Sequence, residues 1–235
     1  MKEYLIGQAA RMGIEMTPEQ ADDFCVYHEM LISANREMNL TRVSEDEKEA
    51  SDRNYLDSLT ALEHLNNAHS LIDVGSGAGF PGLPIAIMRR DMEIVLLDSL
   101  TKRVDFLNSV IRRLGLNAVA VHARCEEAAR LPAYRDHFDA ACARAVASMN
   151  VLSEWLLPFV KPGGQMLALK GPGAGEETHE AQAAIEALGA RVAGICTARI
   201  PGRDWEHSIV KVEKLVPTPD RFPRKPGIAE KRPIK

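Results

Sequence analysis

Leu71-Ile72-Asp73-Val74-Gly75-Ser76-Gly77-Ala78-Gly79-Phe80-Pro81-Gly82 is the stretch on which the reading of this 235-residue chain turns. Its apolar run at 71–74 is cut off by glycine, as in a buried strand of a parallel sheet. The glycines let the backbone turn tightly and approach a ligand with no side chain in the way. A helix expected over 81–90 completes a strand–loop–helix unit. Downstream, the spacing predicts a strand at 94–97 ending at Asp98, a helix at 102–114 closed by Gly115, and strands at 118–122 and 139–143. A helix at 149–160, a turn at 161–164, a strand at 165–169, a helix at 176–188 and strands near 191–196 and 208–212 follow. Repeated β-α-β units imply a parallel sheet with helices on both faces.

A loop between the first strand and the first helix is where a nucleotide-type cofactor sits in such folds. Asp98 stands 23 residues after Gly75, where an acid can accept hydrogen bonds from both ribose hydroxyls. Gly77, Gly79 and Gly82 satisfy a literal dinucleotide pattern, so an NAD or FAD reading has to be weighed. Position argues against it: that fingerprint begins right after the strand, and counted from Gly75 its third glycine falls on Phe80. An acid two residues ahead of the first glycine, as Asp73 is, suits a sulfonium cofactor, and S-adenosyl-L-methionine has no pyrophosphate to cradle. S-adenosyl-L-methionine is the expected cofactor; the other readings are a dinucleotide and a purely structural glycine turn.

Ahead of Ser70 the chain reads as helical. Thr17-Pro18-Glu19-Gln20 is a capping box with proline in the first turn. Behind it Ala21, Phe24, Cys25, His28, Leu31 and Ile32 recur at helical spacing. A second helix is expected from near Glu45, with Ser44 as its cap, through Tyr55, Leu56 and Leu59. The expected organisation is a helical extension at 1–69, a cofactor-binding domain at 70–214 and a basic tail at 215–235. That Pro-rich tail looks loosely structured.

Composition is that of a globular protein, with 46% hydrophobic and 26% charged residues. No apolar stretch is long enough to span a bilayer, and no secretory signal is visible at the front. Cys25, Cys125, Cys142 and Cys196 are scattered, with no Cys-x-x-Cys pair. That argues against a zinc site and for a reducing compartment, so a cytoplasmic location is expected and no metal. The net charge of −4 is uneven. Residues 1–69 carry six Lys+Arg against fourteen Asp+Glu, whereas 221–235 carry six against Glu230 alone. A basic end suits an anionic partner; a solvated tail is the competing reading.

At these residues the chain resembles a known family, the bacterial RsmG (GidB) methyltransferases, which make N7-methylguanosine in 16S ribosomal RNA. The resemblance runs through Asn39-Leu40-Thr41, through 53–59 and the glycine loop to Pro84, and through Leu97-Asp98-Ser99-Leu100-Thr101-Lys102-Arg103. It continues in Arg144-Ala145-Val146-Ala147-Ser148, Leu169-Lys170-Gly171 and the ending from Thr218 to Pro233. It implies a Rossmann-like S-adenosylmethionine-dependent methyltransferase fold, with a seven-stranded, mostly parallel sheet and an N-terminal helical extension. It also implies 16S ribosomal RNA or the small ribosomal subunit as partner. By that resemblance Gly75, Gly77, Phe80, Asp98, Ser99, Leu100, Cys125, Glu126 and Arg144 hold the cofactor. For Cys125-Glu126 an ordinary helix start is the alternative. The chain departs from the family pattern at Asn54 and at Trp205-Glu206-His207, which bears on substrate contacts and not on the cofactor loop.

Guanine N7 carries a free lone pair, so its methylation needs alignment more than a base. In keeping with that, no Pro-Pro-Tyr tetrapeptide follows the fourth strand, and Cys142 lies inside an expected strand as a buried structural thiol. No residue is expected to act as acid or base. Arg144 ends the fourth strand at the carboxyl edge, where ligands sit in open α/β sheets. It is expected to orient guanine O6 or the cofactor carboxylate, with a salt bridge to a helix acid as the competing role. RNA phosphates are expected to meet Lys102, Arg103, Arg221, Arg224 and Lys225, with Arg89, Arg90, Arg199 and Arg203 further candidates. Arg112-Arg113 reads better as a solvated face. A non-catalytic cofactor- or RNA-binding module, and a methyltransferase of another RNA base or a small molecule, are the alternatives.

Overall fold

The structure, a computed structural model, describes residues 1–38, 43, 44, 46–144, 146–205 and 207–235; of 37 and 38 only the backbone is considered. Asn39-Leu40-Thr41, Glu45, Ala145 and Glu206 therefore lie outside the described residues.

The strands are β1 Ser70–Val74, β2 Glu93–Asp98, β3 Ala118–His122, β4 Phe138–Arg144, β5 Val160–Lys170, β6 Ala190–Ala198 and β7 His207–Lys214. They form one sheet in the order β3-β2-β1-β4-β5-β7-β6. β1 to β5 run parallel, and β7 is antiparallel to both β5 and β6. Strand order reverses between β1 and β4, so a crevice opens at their carboxyl ends. Because β7 runs the other way, its first residue, His207, lies at that same edge. Leu71 packs into the core on one sheet face, while Ile72 and Val74 pack on the other, as strand alternation requires.

Helices α1 Lys2–Arg11, α2 Pro18–Met38, α3 Glu47–Ala50 and α4 Asp57–Leu59 form the front, with a π-helical stretch, Ser51–Leu56, joining α3 to α4. The capping box forms: Gln20 N–H donates to Thr17 Oγ1 at 3.2 Å, and Thr17 N–H to Gln20 Oε1 at 2.9 Å. The next cap is not Ser44. Asp46 Oδ1 accepts from Lys48 and Glu49 N–H, and the Ser44 hydroxyl donates to Glu49 instead. The front shares one core with the sheet through α5 Gly82–Met88 and α6 Thr101–Leu114. Buried Tyr27 and Tyr55 pack against Phe80, each with ring centroids 5.7 Å apart, and Tyr27 donates its hydroxyl to Ala78 O at 2.6 Å. The glycine loop thus rests on aromatic side chains from the extension.

The far face carries α7 Cys125–Ala128, α8 Met149–Leu156, α9 Ala174–Glu180, α10 Gln182–Ala187 and α11 Ile228–Lys231. The helix expected at 149–160 ends at Leu156 and tightens into a 3₁₀ turn over Leu157–Phe159; Pro158 cannot continue an α-helical ladder. The helix expected at 176–188 is two pieces meeting at Ala181.

The tail is not loose. Phe222 and Ala229 are buried, and Arg135 donates to Thr218 O and Phe222 O at 2.7 and 3.0 Å. Arg224 forks onto the buried carboxylate of Glu154, with Nη2–Oε2 at 2.6 Å and Nε–Oε1 at 2.9 Å. Composition cannot reveal such anchors, because the acids that hold the basic residues are remote in sequence.

Candidate active site

The glycine loop leaves β1 at the crevice. Gly75, Gly77 and Gly79 all have positive φ, at 74°, 59° and 111°, a region costly for other residues. Asp98 joins loop to strand: Oδ2 accepts from Gly77 N–H at 2.8 Å and Oδ1 from Leu100 N–H at 2.9 Å. Asp73 is fully buried and accepts from Gly82 N–H at 3.0 Å. Burial pushes its carboxyl up to about 7.

Two lobes of one cleft meet at Gly75 and Arg103, which line both. The smaller, about 230 Å³, is bounded by Asp98, Ser99, Cys125, Glu126, Trp155 and Glu230. Glu126 is buried, and its Oε1 accepts from Gly227 N–H of the tail at 3.1 Å. The Cys125 thiol donates to Glu126 Oε2 at 3.4 Å; burial and this carboxylate push the thiol well up, so it is no nucleophile. Trp155 Nε1 is buried with no partner among the described residues. This lobe offers carboxylates, an unpaired indole donor and the guanidinium groups of Arg103 and Arg124, a set of acceptors and donors suited to a hydrogen-bonding heterocycle and its sugar. Leu100 is exposed beside it.

The larger lobe, about 460 Å³, lies between the helical front and the ends of β4, β5 and β7. Its polar lining includes Arg53, Asp57, Arg103, Arg144, Lys170 and His207, together with the Phe80 ring. Arg144 has its guanidinium 4.8 Å from the Phe80 ring centroid. Its Nη1 donates to Arg53 O at 2.8 Å and to Asp57 Oδ2 at 3.1 Å, and its Nη2 to Asn54 Oδ1 at 3.3 Å. The competing reading of Arg144, a salt bridge to a helix acid, is what the structure shows, and the residue also lines the cleft. His207 Nδ1 lies 2.7 Å from Asp57 Oδ1. That hydrogen bond holds the imidazole pKa above its ordinary value, against burial and the charges of Arg144 and Arg53.

The expected RNA contacts separate into two sets. Lys102 is exposed at the start of α6, and Arg103 reaches Asp98 Oδ2 at 3.4 Å. Arg221 and Lys225 are exposed, whereas Arg224 is committed to Glu154. Arg89 and Arg90 are structural, binding Leu65 O, Ala68 O and Asp91, and Asp23 and Leu114 O, respectively. Arg112 and Arg113 are exposed, as expected of a solvated face. Arg203 pairs with fully buried Asp52 at 2.7 Å, and its guanidinium and that of Arg53 both lie over Trp205, at 5.2 and 4.5 Å from the ring centroid.

Asp57, Lys170 and His207 carried no site assignment from sequence, although all three line the larger lobe. Lys170 ends β5 at the carboxyl edge, a rule that could have found it. His207 required knowing that the last strand is antiparallel.

Residues 20–204 match the family described as rRNA small subunit methyltransferase G (GidB). A Clostridium perfringens (strain 13 / Type A) protein named ribosomal RNA small subunit methyltransferase G is 45% identical over 227 residues, 95% of each chain. Among solved structures, the [4+2]-cyclase SpnF is similar with a TM-score of 0.56 at 17% identity, covering 84% of this chain and 96% of its own. TYW2 of M. jannaschii in complex with AdoMet aligns with a TM-score of 0.52 at 14% identity, over 68% of this chain and 77% of its own. These structural likenesses speak for the fold alone. The match over most of the chain and the identity over nearly all of it carry the rest: the chain belongs to the rRNA small subunit methyltransferase G (GidB) family.

Proposed function

We propose that this protein transfers the methyl group of S-adenosyl-L-methionine to N7 of a guanine in 16S ribosomal RNA, acting in the cytoplasm on the RNA or on the small subunit. The observation that carries this reading is the two-lobed cleft. Asp98, Glu126 and Glu230 line one lobe beside Arg103 and Arg124, and Arg53, Arg103, Arg144 and Lys170 line the other beside Asp57, with the glycine loop at their junction. Asp98 and Glu126 suit ribose and adenine, with Gly75, Ser99 and Cys125 lining the same lobe, Gly77 lining the larger one, and exposed Leu100 following Ser99. Arg103, Arg144 and Lys170 suit carboxylate or phosphate. Phe80 offers an apolar face beneath Arg144.

The bound cofactor supplies an electrophilic methyl group. The chain's own residues then have one task, to hold guanine N7 in line with it, since the N7 lone pair needs no deprotonation. Orientation of this kind is worth effective molarities of about 10⁵–10⁸ M. Lys102, Arg103, Arg221 and Lys225 attract the RNA backbone. In this reading Arg224 anchors the tail. In the same reading the chain is organised as a helical extension at 1–69, a cofactor-binding domain at 70–214 and a basic tail at 215–235, with the front forming one wall of the substrate lobe.

The test is transfer of labelled methyl to unmodified 30S particles and to free 16S RNA, with the product nucleoside identified. Label recovered as N7-methylguanosine supports the reading, and the better acceptor of the two identifies the substrate. Label in another base, or none despite cofactor binding, overturns it.

A further inference from the structure

Guanine presents two adjacent acceptors on the edge to be methylated, N7 and O6, whereas adenine presents N7 beside an N6 amino donor. On that edge, a site that leaves N7 free distinguishes guanine from adenine by a hydrogen-bond donor at O6. Most cations of the larger lobe already have protein partners. Arg53 donates to Glu49 at 2.8 Å, Arg103 to Asp98 at 3.4 Å, and Lys170 lies 2.7 Å from Glu177 and 2.8 Å from Ala147 O. Arg144 has both terminal nitrogens engaged by Arg53 O, Asp57 and Asn54. His207 differs. It lines the lobe and is fixed through Nδ1 by Asp57, and Nε2 has no hydrogen-bond partner among the described residues.

We propose that His207, oriented by Asp57, donates its Nε2–H to O6 of the target guanine and so selects guanine over adenine. This rests on the methyl-transfer reading above. Asp57 only accepts, so Nδ1 carries a proton; Nε2 also carries one only in the imidazolium. Deprotonation turns Nε2 into an acceptor facing another acceptor, and the contact is lost. The charged groups around the ring are Asp57 and Arg53 from the helical front, Arg144 from β4 and Lys170 from β5; β6 contributes uncharged Ala198. The Asp57 hydrogen bond favours the imidazolium, while burial and the charges of Arg144 and Arg53 oppose it, with the net direction upward. Activity is therefore fullest below the His207 pKa and falls as pH rises through it.

The experiment measures kcat/KM for methyl transfer to 30S particles across neutral and alkaline pH, using wild type, His207→Ala and His207→Gln. Cofactor affinity is measured calorimetrically in each variant. His207→Ala should lose roughly 10- to 100-fold in kcat/KM, as expected for a lost charge-assisted hydrogen bond. Its cofactor affinity should stay unchanged, which also shows that it folds. Glutamine, whose amide donor does not titrate, should recover most of the rate and abolish the alkaline fall. Unchanged activity and pH profile in His207→Ala would overturn the inference alone. A wild type that makes no N7-methylguanosine would overturn the functional reading and this inference with it.

Discussion

Asp57 Oδ2 and Arg144 Nη1 lie 3.1 Å apart, joining the helical front to the end of β4 across 87 residues of sequence. The same carboxylate holds His207 through its other oxygen, so one acid positions two groups of the larger lobe. Asp57→Ala should lower both activity and stability, the latter by roughly 1–3 kcal/mol for lost partly buried hydrogen bonds to charged groups. Thermal melts beside methyl-transfer assays test this. Arg144→Ala should weaken cofactor affinity or activity; retention of both at full strength would remove Arg144 from the site.

Gly82 is required by closeness. A Cβ there would meet Leu96 Cδ2 at 2.2 Å and Asp73 Oδ2 at 2.7 Å. Gly82→Ala should therefore destabilise by about 1–3 kcal/mol, as overpacking does, and displace the loop from Asp73. A lowered Tm together with weaker cofactor binding is the expected pair of results.

Asp73 links stability to pH. Its folded pKa is raised from 3.8 to about 7 by burial. The folded protein thus holds a proton that the unfolded chain releases, and the slope ∂ΔG/∂pH from this group is negative. Its contribution is fully present below about pH 4 and is lost as pH rises through about 7, at about 1.4 kcal/mol per pKa unit. Asp73→Asn, of the same shape, should flatten this part of the stability profile in denaturant titrations. An unchanged profile would show that Asp73 does not titrate there.

Removing residues 222–235 should do more than change RNA affinity. It strips Arg224 from the buried Glu154 carboxylate and Gly227 N–H from Glu126. An unpaired buried charge costs on the order of 3–5 kcal/mol. The truncated protein should melt well below the full chain and bind S-adenosyl-L-methionine more weakly, because Glu126 lines the smaller lobe.

Lys102 is exposed and forms no ion pair among the described residues. Lys102→Ala should leave Tm unchanged and reduce the slope of log affinity for RNA against log salt by about 1, one phosphate contact. An identical slope would exclude it from the RNA path.

Element order, the glycine loop with Asp98, the capping box at Thr17 and the family were legible in the sequence. Each is written locally: in strand and helix periodicity, in glycines whose backbone needs positive φ, and in an acid at a strand end. Element ends were less legible where a single residue decides, as Pro158 does for α8 and Asp46 for α3. The tertiary structure alone decided which charges meet. Arg144 and Asp57, His207 and Asp57, and Arg224 and Glu154 are separated by 87, 150 and 70 residues. A charged side chain has many possible partners along the chain, and only the folded backbone selects one by bringing it within hydrogen-bond distance. For that reason Arg224 read as an RNA contact and folded as an anchor, while His207 entered the cleft only through the antiparallel course of β7.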